Sequence, residues 1–328
     1  MKTQEALMAD ARNFMKSRVI LTGAELDIFT FLDKESAAAE TLARRLRLDV
    51  RATTRLLDCL VTFGLLGKRE GHYSNAPQAA TLSSRHPETV LPMVLHLNHL
   101  WDTWTGLTEI VKKGTAQESE QGIKFSEKDW AAFIGAMHVV ARGLSMEIVH
   151  SYDASGFKKL LDVGGASGTY TIAFLKKNPL MHAVIFDLQD VIPMATERIA
   201  AEGLSDRVET VAGDFYEDEL PPGCDMALLS AIIHQNSPRE NGELYRKIYS
   251  ALEPGGILLI RDHIMDDART TPQAGALFAI NMLVNTHGGD TYTFREVRES
   301  LEKAGFTQVK LLQTGEQMDC LVEAKKPA

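Results

Sequence analysis

Residues 160–168 read LLDVGGASG, and no other stretch of the chain limits its fold as tightly. An apolar run ends in an acid, Asp162. Glycines at 164, 165 and 168 then lead into a stretch that reads as a helix from about Thr169. Glycines here allow a tight turn and let a ligand approach bare backbone, and the start of the following helix offers unpaired N–H groups. The pattern predicts an α/β sheet with a nucleotide-like ligand at the carboxyl ends of its strands.

The surrounding sequence extends that reading. Short apolar runs at 159–163, 182–187, 208–212, 225–230, 257–262, 307–313 and 318–324 read as strands, most of them separated by helical stretches. Residues 241–252 read as a helix stopped by Pro254-Gly255-Gly256, and Thr293 with Glu296 reads as a capping box opening another. No helix separates the last two strands, so they are expected to form an antiparallel hairpin on the edge of a mostly parallel, Rossmann-like sheet. Before residue 150 the texture is helical. Residues 37–47 and 50–63 read as two short helices, LLGKREGHYSNA as two strands turning at Glu70-Gly71, and 88–150 as a helical stretch. Helix, turn, helix and hairpin together suggest a winged helix. The expected layout is therefore a winged-helix-like domain over 1–90, a helical linker over 91–150 and the ligand-binding domain over 151–328.

Charge and cysteine content exclude several classes. The formal net charge of −9 repels a polyphosphate backbone, so no nucleic-acid partner is expected. Cys59, Cys224 and Cys320 are scattered and form no CxxC pair, which argues against a disulfide framework or a metal cage and for a reducing compartment. The N-terminus lacks the apolar core of a signal peptide, and no run approaches the ~18 apolar residues of a membrane span. A cytoplasmic protein without membrane attachment is expected.

Two further strand ends sharpen the ligand. The second strand ends in Asp187, followed by Leu188, where an acid typically holds ribose hydroxyls. The third ends in Gly213-Asp214-Phe215, a carboxylate for an adenine amino group and a ring for its face. DVGGASG is not GxGxxG, and an acid at the loop start would meet a pyrophosphate poorly. Asp162 suits instead the positive amino and sulfonium end of S-adenosylmethionine. The expected cofactor residues are Asp162, Gly164, Gly165, Gly168, Asp187, Leu188, Gly213, Asp214 and Phe215.

The chain resembles the S-adenosylmethionine-dependent O-methyltransferases that include caffeate, acetylserotonin and hydroxyneurosporene O-methyltransferases. The likeness runs nearly end to end, through LLDVGGASG, FDLQDVI, GDFYE, the Ser230–His234 strand end, LEPGG and GGDTYTFREVRESLEKAGF. It implies methyl transfer to a hydroxyl of a small aromatic or polyene acceptor, with S-adenosylhomocysteine as product. It also implies a homodimer formed by the N-terminal domain, and a linker that contributes to the acceptor pocket. It adds Ser230 to the cofactor contacts, at a position where the family often has lysine.

By the same resemblance His234 is the general base, a role that suits an imidazole near neutral pH. The family's His-Asp-Trp is His234-Gln235-Asn236 here. Of the two carboxylates that flank the family's histidine, one maps to Asp262 and the other to Thr291, beside Asp290. Trp104, Phe133, Met137, His138, Asn281, Met282 and Asn285 are expected to line the acceptor pocket. His263 follows Asp262, and strand alternation assigns it to the opposite face as a structural residue.

Two other classes stay open. The altered histidine neighbourhood fits an enzyme that keeps the cofactor for hydroxylation, decarboxylation or a pericyclic step. The winged helix, with Arg44, Arg45, Arg47, Arg51 and Arg55, fits a DNA-binding regulator, which the net charge opposes.

Overall fold

A computed structural model describes residues 3–114 and 127–328. Among these, residues up to Asp102 together with 127–139 form one compact unit, and residues 103–114 with 140–328 form a second. The stretch read as a single helical linker is thus divided between the units. Its described residues form three helices, Leu91–Thr105, Leu107–Lys113 and Glu127–Ser151. Gly106 separates the first two and Gly114, at φ +81°, ends the second.

In the first unit, helices Ala39–Leu46 and Val50–Thr62 are followed by the hairpin Leu66–Arg69 and His72–Asn75. Glu70 and Gly71 both take positive φ, as a two-residue turn between twisted strands demands. Residues Ala37–Ala38, read as helix from sequence, form instead a third strand paired with the hairpin. Ile28, Phe29, Leu42, Leu57, Leu60 and Tyr73 make the core of this unit. The first helix, Gln4–Glu25, turns only its last residues inward: Leu21 is buried, while Leu7, Met8, Phe14 and Met15 stay exposed.

The second unit is built on a seven-stranded sheet. Its strands, in chain order, are β1 (Lys159–Val163), β2 (His182–Asp187), β3 (Val208–Ala212), β4 (Cys224–Ser230), β5 (Leu252–Asp262), β6 (Thr307–Gln313) and β7 (Cys320–Lys325). Their order in the sheet is β6-β7-β5-β4-β1-β2-β3, and β7 alone runs antiparallel to its neighbours. The expected mostly parallel sheet with an antiparallel terminal hairpin is what forms. The order reverses at β1, between β4 and β2, which opens a crevice beyond the carboxyl ends of these strands.

β5 is longer than its apolar run. Cys224 pairs with Leu252 but Met226 pairs with Ile257, so Pro254-Gly255-Gly256 bulges from within the strand and does not merely stop the preceding helix. That helix spans Pro238–Ala251 and starts earlier than its apolar pattern, on a capping box between Ser237 and Glu240. Helix Phe294–Lys303 opens on the expected box of Thr293 and Glu296. Alternation along β1 and β5 divides the core. Leu161, Val163, Leu258 and Ile260 face helices 238–251 and 294–303, and Leu160, Ile257 and Leu259 face helix 169–177 and the end of helix 127–151.

Candidate active site

The glycine loop sits at the switch point. Gly164 takes φ +70°, a conformation that L side chains rarely adopt, and a Cβ there would lie 2.7 Å from Ile232 Cδ1 and 3.6 Å from Phe215. The loop at β1, the turn after β4 and the ring after β3 therefore converge on one point. Gly168, at φ +72°, caps helix Thr169–Lys177. Gly165 and Gly213 serve packing within the protein: an added Cβ would meet Asp162 Cγ at 2.9 Å and Phe186 at 2.5 Å. Ala166 is left-handed too, at φ +47°, and its N–H donates to Asp187 Oδ2 at 2.7 Å.

Asp162 is 2% exposed and takes a 2.6 Å hydrogen bond from the Thr171 hydroxyl. Burial pushes its carboxyl up to about 6, with the Thr171 bond pulling the other way. Asp187 also accepts from the Leu188 N–H at 2.8 Å, and burial raises it despite these bonds. Two N–H donors leave half of a carboxylate's acceptor capacity for a further ligand. Asp214 accepts from the Tyr216 N–H at 2.9 Å, and Phe215 packs its ring 4.6 Å from that of Tyr216.

Ser230 is engaged from an unforeseen direction. Arg261, 3% exposed, donates its Nε to Ser230 Oγ at 2.8 Å, and its guanidinium lies 5.3 Å from the Tyr170 ring. The Tyr170 hydroxyl is buried without a hydrogen-bond partner among the described residues.

His234 stands on a short turn, Ile233–Gln235, after β4. Its Nδ1 lies 2.9 Å and 3.0 Å from the two oxygens of Asp262, which is 1% exposed. Burial alone would raise the Asp262 carboxyl, but the hydrogen bond from His234, the Arg261 charge and the His263 N–H hold it below the usual range. An ionised carboxylate only accepts, so Nδ1 carries the proton and Nε2 is left as the basic nitrogen. The second flanking acid is absent. Asp290 turns its carboxylate to Arg269, at 2.9 Å, and the Thr291 hydroxyl donates to Gly275 O. The loop reaches the histidine by backbone instead, the Asp290 N–H donating to His234 O at 2.9 Å.

Asn236, which replaces the aromatic member of the family's triplet, is fully buried. Its side chain accepts from Tyr216 Oη at 2.5 Å and donates to Asn241 at 3.1 Å, and Asn241 donates to Ile233 O at 2.8 Å. Tyr292 Oη donates to the Asn236 carbonyl. This brace was not read from sequence, because its members lie up to 76 residues apart (Tyr216 to Tyr292) and no local pattern shows which of them meet.

Helix Gln273–Asn285 carries the expected acceptor residues. Trp104 Nε1 donates to Asn281 Oδ1 at 3.0 Å, and Asn285 Nδ2 donates to the same oxygen at 3.0 Å. Met282 is buried. Met137 and His138 are half-buried in the first unit, and the side chain of Phe133 lies outside the described residues. Phe278, not foreseen, sets its ring edge-on to His234 at 4.8 Å. It also packs 5.1 Å from His263, which corrects the alternation argument: β5 ends at Asp262, so His263 is free to turn toward the ring that His234 touches. Among the described residues no group of three or more His, Cys, Asp or Glu side chains is placed to hold a metal ion.

A seven-stranded sheet of this order, with a glycine loop at its switch point and a carboxylate-held histidine beyond the next strand, defines an α/β enzyme with a nucleotide-type cofactor crevice. The family is identified directly. Residues 104–307 match the O-methyltransferase domain and residues 8–85 the O-methyltransferase dimerisation domain, so the chain belongs to the O-methyltransferase family. It is 32% identical to the tetracenomycin polyketide synthesis 8-O-methyl transferase TcmO of Streptomyces glaucescens, over 90% of this chain and 89% of that protein. It is 31% identical to the 3-hydroxy-5-methyl-1-naphthoate 3-O-methyltransferase of Streptomyces sahachiroi, over 92% and 88%. The crystal structure of human N-acetylserotonin methyltransferase in complex with SAM shares the fold, with a TM-score of 0.87 at 24% identity, over 100% of this chain and 99% of that one.

Proposed function

We propose that the chain methylates a hydroxyl of a small aromatic acceptor with S-adenosylmethionine, using His234 as general base and Asp262 to hold and balance it. The observation that carries this reading is the bond of His234 Nδ1 to a buried, ionised Asp262 beyond β4, next to the glycine loop. The residues present fit the cofactor. Asp187 keeps acceptor capacity for ribose hydroxyls, Asp214 and Phe215 suit an adenine, and Asp162 suits a cationic amino acid end. The buried Tyr170 hydroxyl, unpartnered and in the first turn of the helix that the loop opens, offers a donor to a carboxylate. Gly164, Gly168, Leu188 and Ser230 are assigned to the same set, with Gly165 and Gly213 shaping the backbone around it.

The cofactor supplies an activated methyl group, and the chain does the rest. His234 Nε2 takes the acceptor's hydroxyl proton as the oxygen becomes nucleophilic, and Asp262 stabilises the imidazolium that results. Trp104, Asn281, Met282 and Asn285 orient the acceptor. The two Streptomyces relatives named above are O-methyltransferases of polyketide and hydroxynaphthoate acceptors, which supports a fused-ring phenol here.

The N-terminal unit is assigned as a winged helix that pairs two copies of the chain. Exposed Leu7, Met8, Phe14 and Met15 and the dimerisation-domain match support that use over DNA reading. No helix among the described residues is long and apolar enough to cross a membrane, and the cysteines are free, in keeping with the cytoplasm.

The test has two readouts. Calorimetry with S-adenosylhomocysteine is expected to show binding by wild type and its loss on Asp187→Ala; no binding by wild type would sink the cofactor assignment. A labelled-methyl assay over hydroxynaphthalenes is expected to show transfer by wild type and a large loss in His234→Ala. Equal rates would retire the base.

A further inference from the structure

The turn that carries His234 is met by the segment that follows helix Gln273–Asn285. Gly289 makes the closest approach. A Cβ added there would lie 2.5 Å from His234 O, 2.5 Å from Thr286 Oγ1 and 3.1 Å from the Gln235 carbonyl carbon. Gly289 takes no positive φ, so glycine is needed here for space and not for backbone freedom. A Cβ added at Gly288 would lie 2.8 Å from Ser237 Cβ, just past the turn. The two glycines let one main chain lie directly on another.

Hydrogen bonds fasten this contact. The Gly289 N–H donates to Thr286 Oγ1 at 2.9 Å, the Asp290 N–H donates to His234 O at 2.9 Å, and Tyr292 Oη donates to Asn236 O. Residues 292–293 pair in parallel with 264–265, just beyond the end of β5. The Asp290 carboxylate is turned elsewhere. Its Oδ1 accepts from the Thr291 N–H at 2.8 Å and its Oδ2 from Arg269 Nη1 at 2.9 Å. Arg269 also donates to Thr291 O at 2.7 Å and to Glu296 at 2.6 Å, so one guanidinium grips the segment at three points.

These ties fix the base at two ends. Asp262 holds the ring at Nδ1, and Asp290 holds the main chain from which the ring projects. With both ends set, the direction of Nε2 follows. A general base must come within hydrogen-bond reach of the proton it takes, and a misplacement of about 1 Å can cost ~10²-fold in rate.

We propose that Gly289 and Asp290 are positioning residues for the base, held in place by Arg269, so that a main-chain strap orients His234 where a second flanking carboxylate is missing. The proposal rests on the reading of His234 as general base. It goes beyond that reading by assigning the orientation of the imidazole to a segment that never touches the acceptor's proton. An added methyl group needs about 3.5–4.0 Å from its neighbours, so Gly289→Ala forces strap and turn roughly 1 Å apart.

The test compares 1-naphthol with 4-nitro-1-naphthol, whose hydroxyl is already ionised near neutral pH and brings no proton to remove. Gly289→Ala, Arg269→Met and Arg269→Lys are each first shown to bind S-adenosylhomocysteine as wild type does. Gly289→Ala is expected to lose about 10²-fold in kcat on 1-naphthol and far less on the nitro compound, with KM for S-adenosylmethionine little changed. Arg269→Met is expected to show the same split at smaller size, and Arg269→Lys, which keeps the charge, to recover part of the loss. Equal losses on the two acceptors, or no loss on 1-naphthol, overturns the strap. Should Gly289→Ala fail to bind S-adenosylhomocysteine, Arg269→Met carries the same comparison. A readout without turnover is the low-field proton resonance of His234 Nδ1–H in the S-adenosylhomocysteine complex, identified by its absence from His234→Ala. It is expected to shift or broaden in Gly289→Ala and Arg269→Met, and a resonance unchanged in both overturns the strap. A wild type that methylates neither naphthol counts against the methyl-transfer reading, and the resonance alone then decides the strap.

Discussion

At the scale of single residues, His234 and Asp262 carry the proposed chemistry. With the carboxylate below its usual range and bonded to Nδ1, the imidazole is held in the tautomer that leaves Nε2 basic. His234→Ala is expected to reduce kcat by about 10²–10⁴-fold, the typical worth of a positioned base, with S-adenosylhomocysteine affinity little changed. Asp262→Asn keeps the shape and loses the charge, so kcat in the same labelled-methyl assay is expected to fall while KM moves less. Asp162 makes a separate prediction with a definite sign. Its folded pKa of about 6 lies above the ordinary 3.8, so the native state holds this proton more tightly than the unfolded chain. The penalty is absent below the unfolded pKa, grows as pH rises through about 6, and reaches about 3 kcal/mol at 1.36 kcal/mol per unit. Asp162→Asn is expected to raise the melting temperature more at pH 8 than at pH 5. A cationic ligand favours the ionised form, so S-adenosylmethionine is expected to bind wild type more tightly at pH 7.5 than at pH 5. A flat titration would remove Asp162 from the cofactor site.

Short elements depend on braces that local sequence does not display. The turn carrying His234 is tied by Asn236, Asn241, Tyr216 and Tyr292, and by the Asp290 N–H. Asn236→Ala leaves Tyr216 Oη and Asn241 Oδ1 short of a partner. It is expected to cost about 1–3 kcal/mol, several degrees of melting temperature by calorimetry, and to lower kcat as the turn loosens. The two capping boxes show how legibility depends on context. Thr293 with Glu296 was readable because Phe294 and Val297 begin the apolar pattern at once. Ser237 with Glu240 has the same spacing, but Pro-Arg-Glu-Asn-Gly-Glu follows and the first apolar residue is Leu244, so the helix start was read three residues late. β5 was likewise shortened, since a bulge at Pro254-Gly255-Gly256 looks locally like a stop.

At the scale of the whole molecule, the N-terminal helix leaves its outer face without cover in one chain. Leu7 and Phe14, and Met8 and Met15, recur at seven-residue spacing and are 46–61% exposed. Phe14 is exposed while Leu21, seven residues on, packs into the chain's own unit. Phe14→Glu is therefore expected to shift the protein from dimer to monomer in sedimentation at micromolar concentration, whereas Leu21→Glu is expected to unfold the unit. Dissociation by neither change would refute the assignment of this face to a second copy.

What the sequence by itself determined is the α/β sheet, its cofactor loop and the strand-end acids, because each rests on local pattern: apolar runs of strand length, glycines where a turn needs them, an acid where a strand stops. It also pointed to His234 and Asp262, through a resemblance carried by motifs that stand close to strand ends. The tertiary structure alone decided which groups those residues meet. Asp290 faces Arg269 and not His234, Arg261 occupies Ser230, and Phe278 stands between His234 and His263. These pairings join residues tens of positions apart in the chain, and their choice among many alternatives is made by packing and by the need to satisfy buried polar groups, neither of which a local pattern encodes.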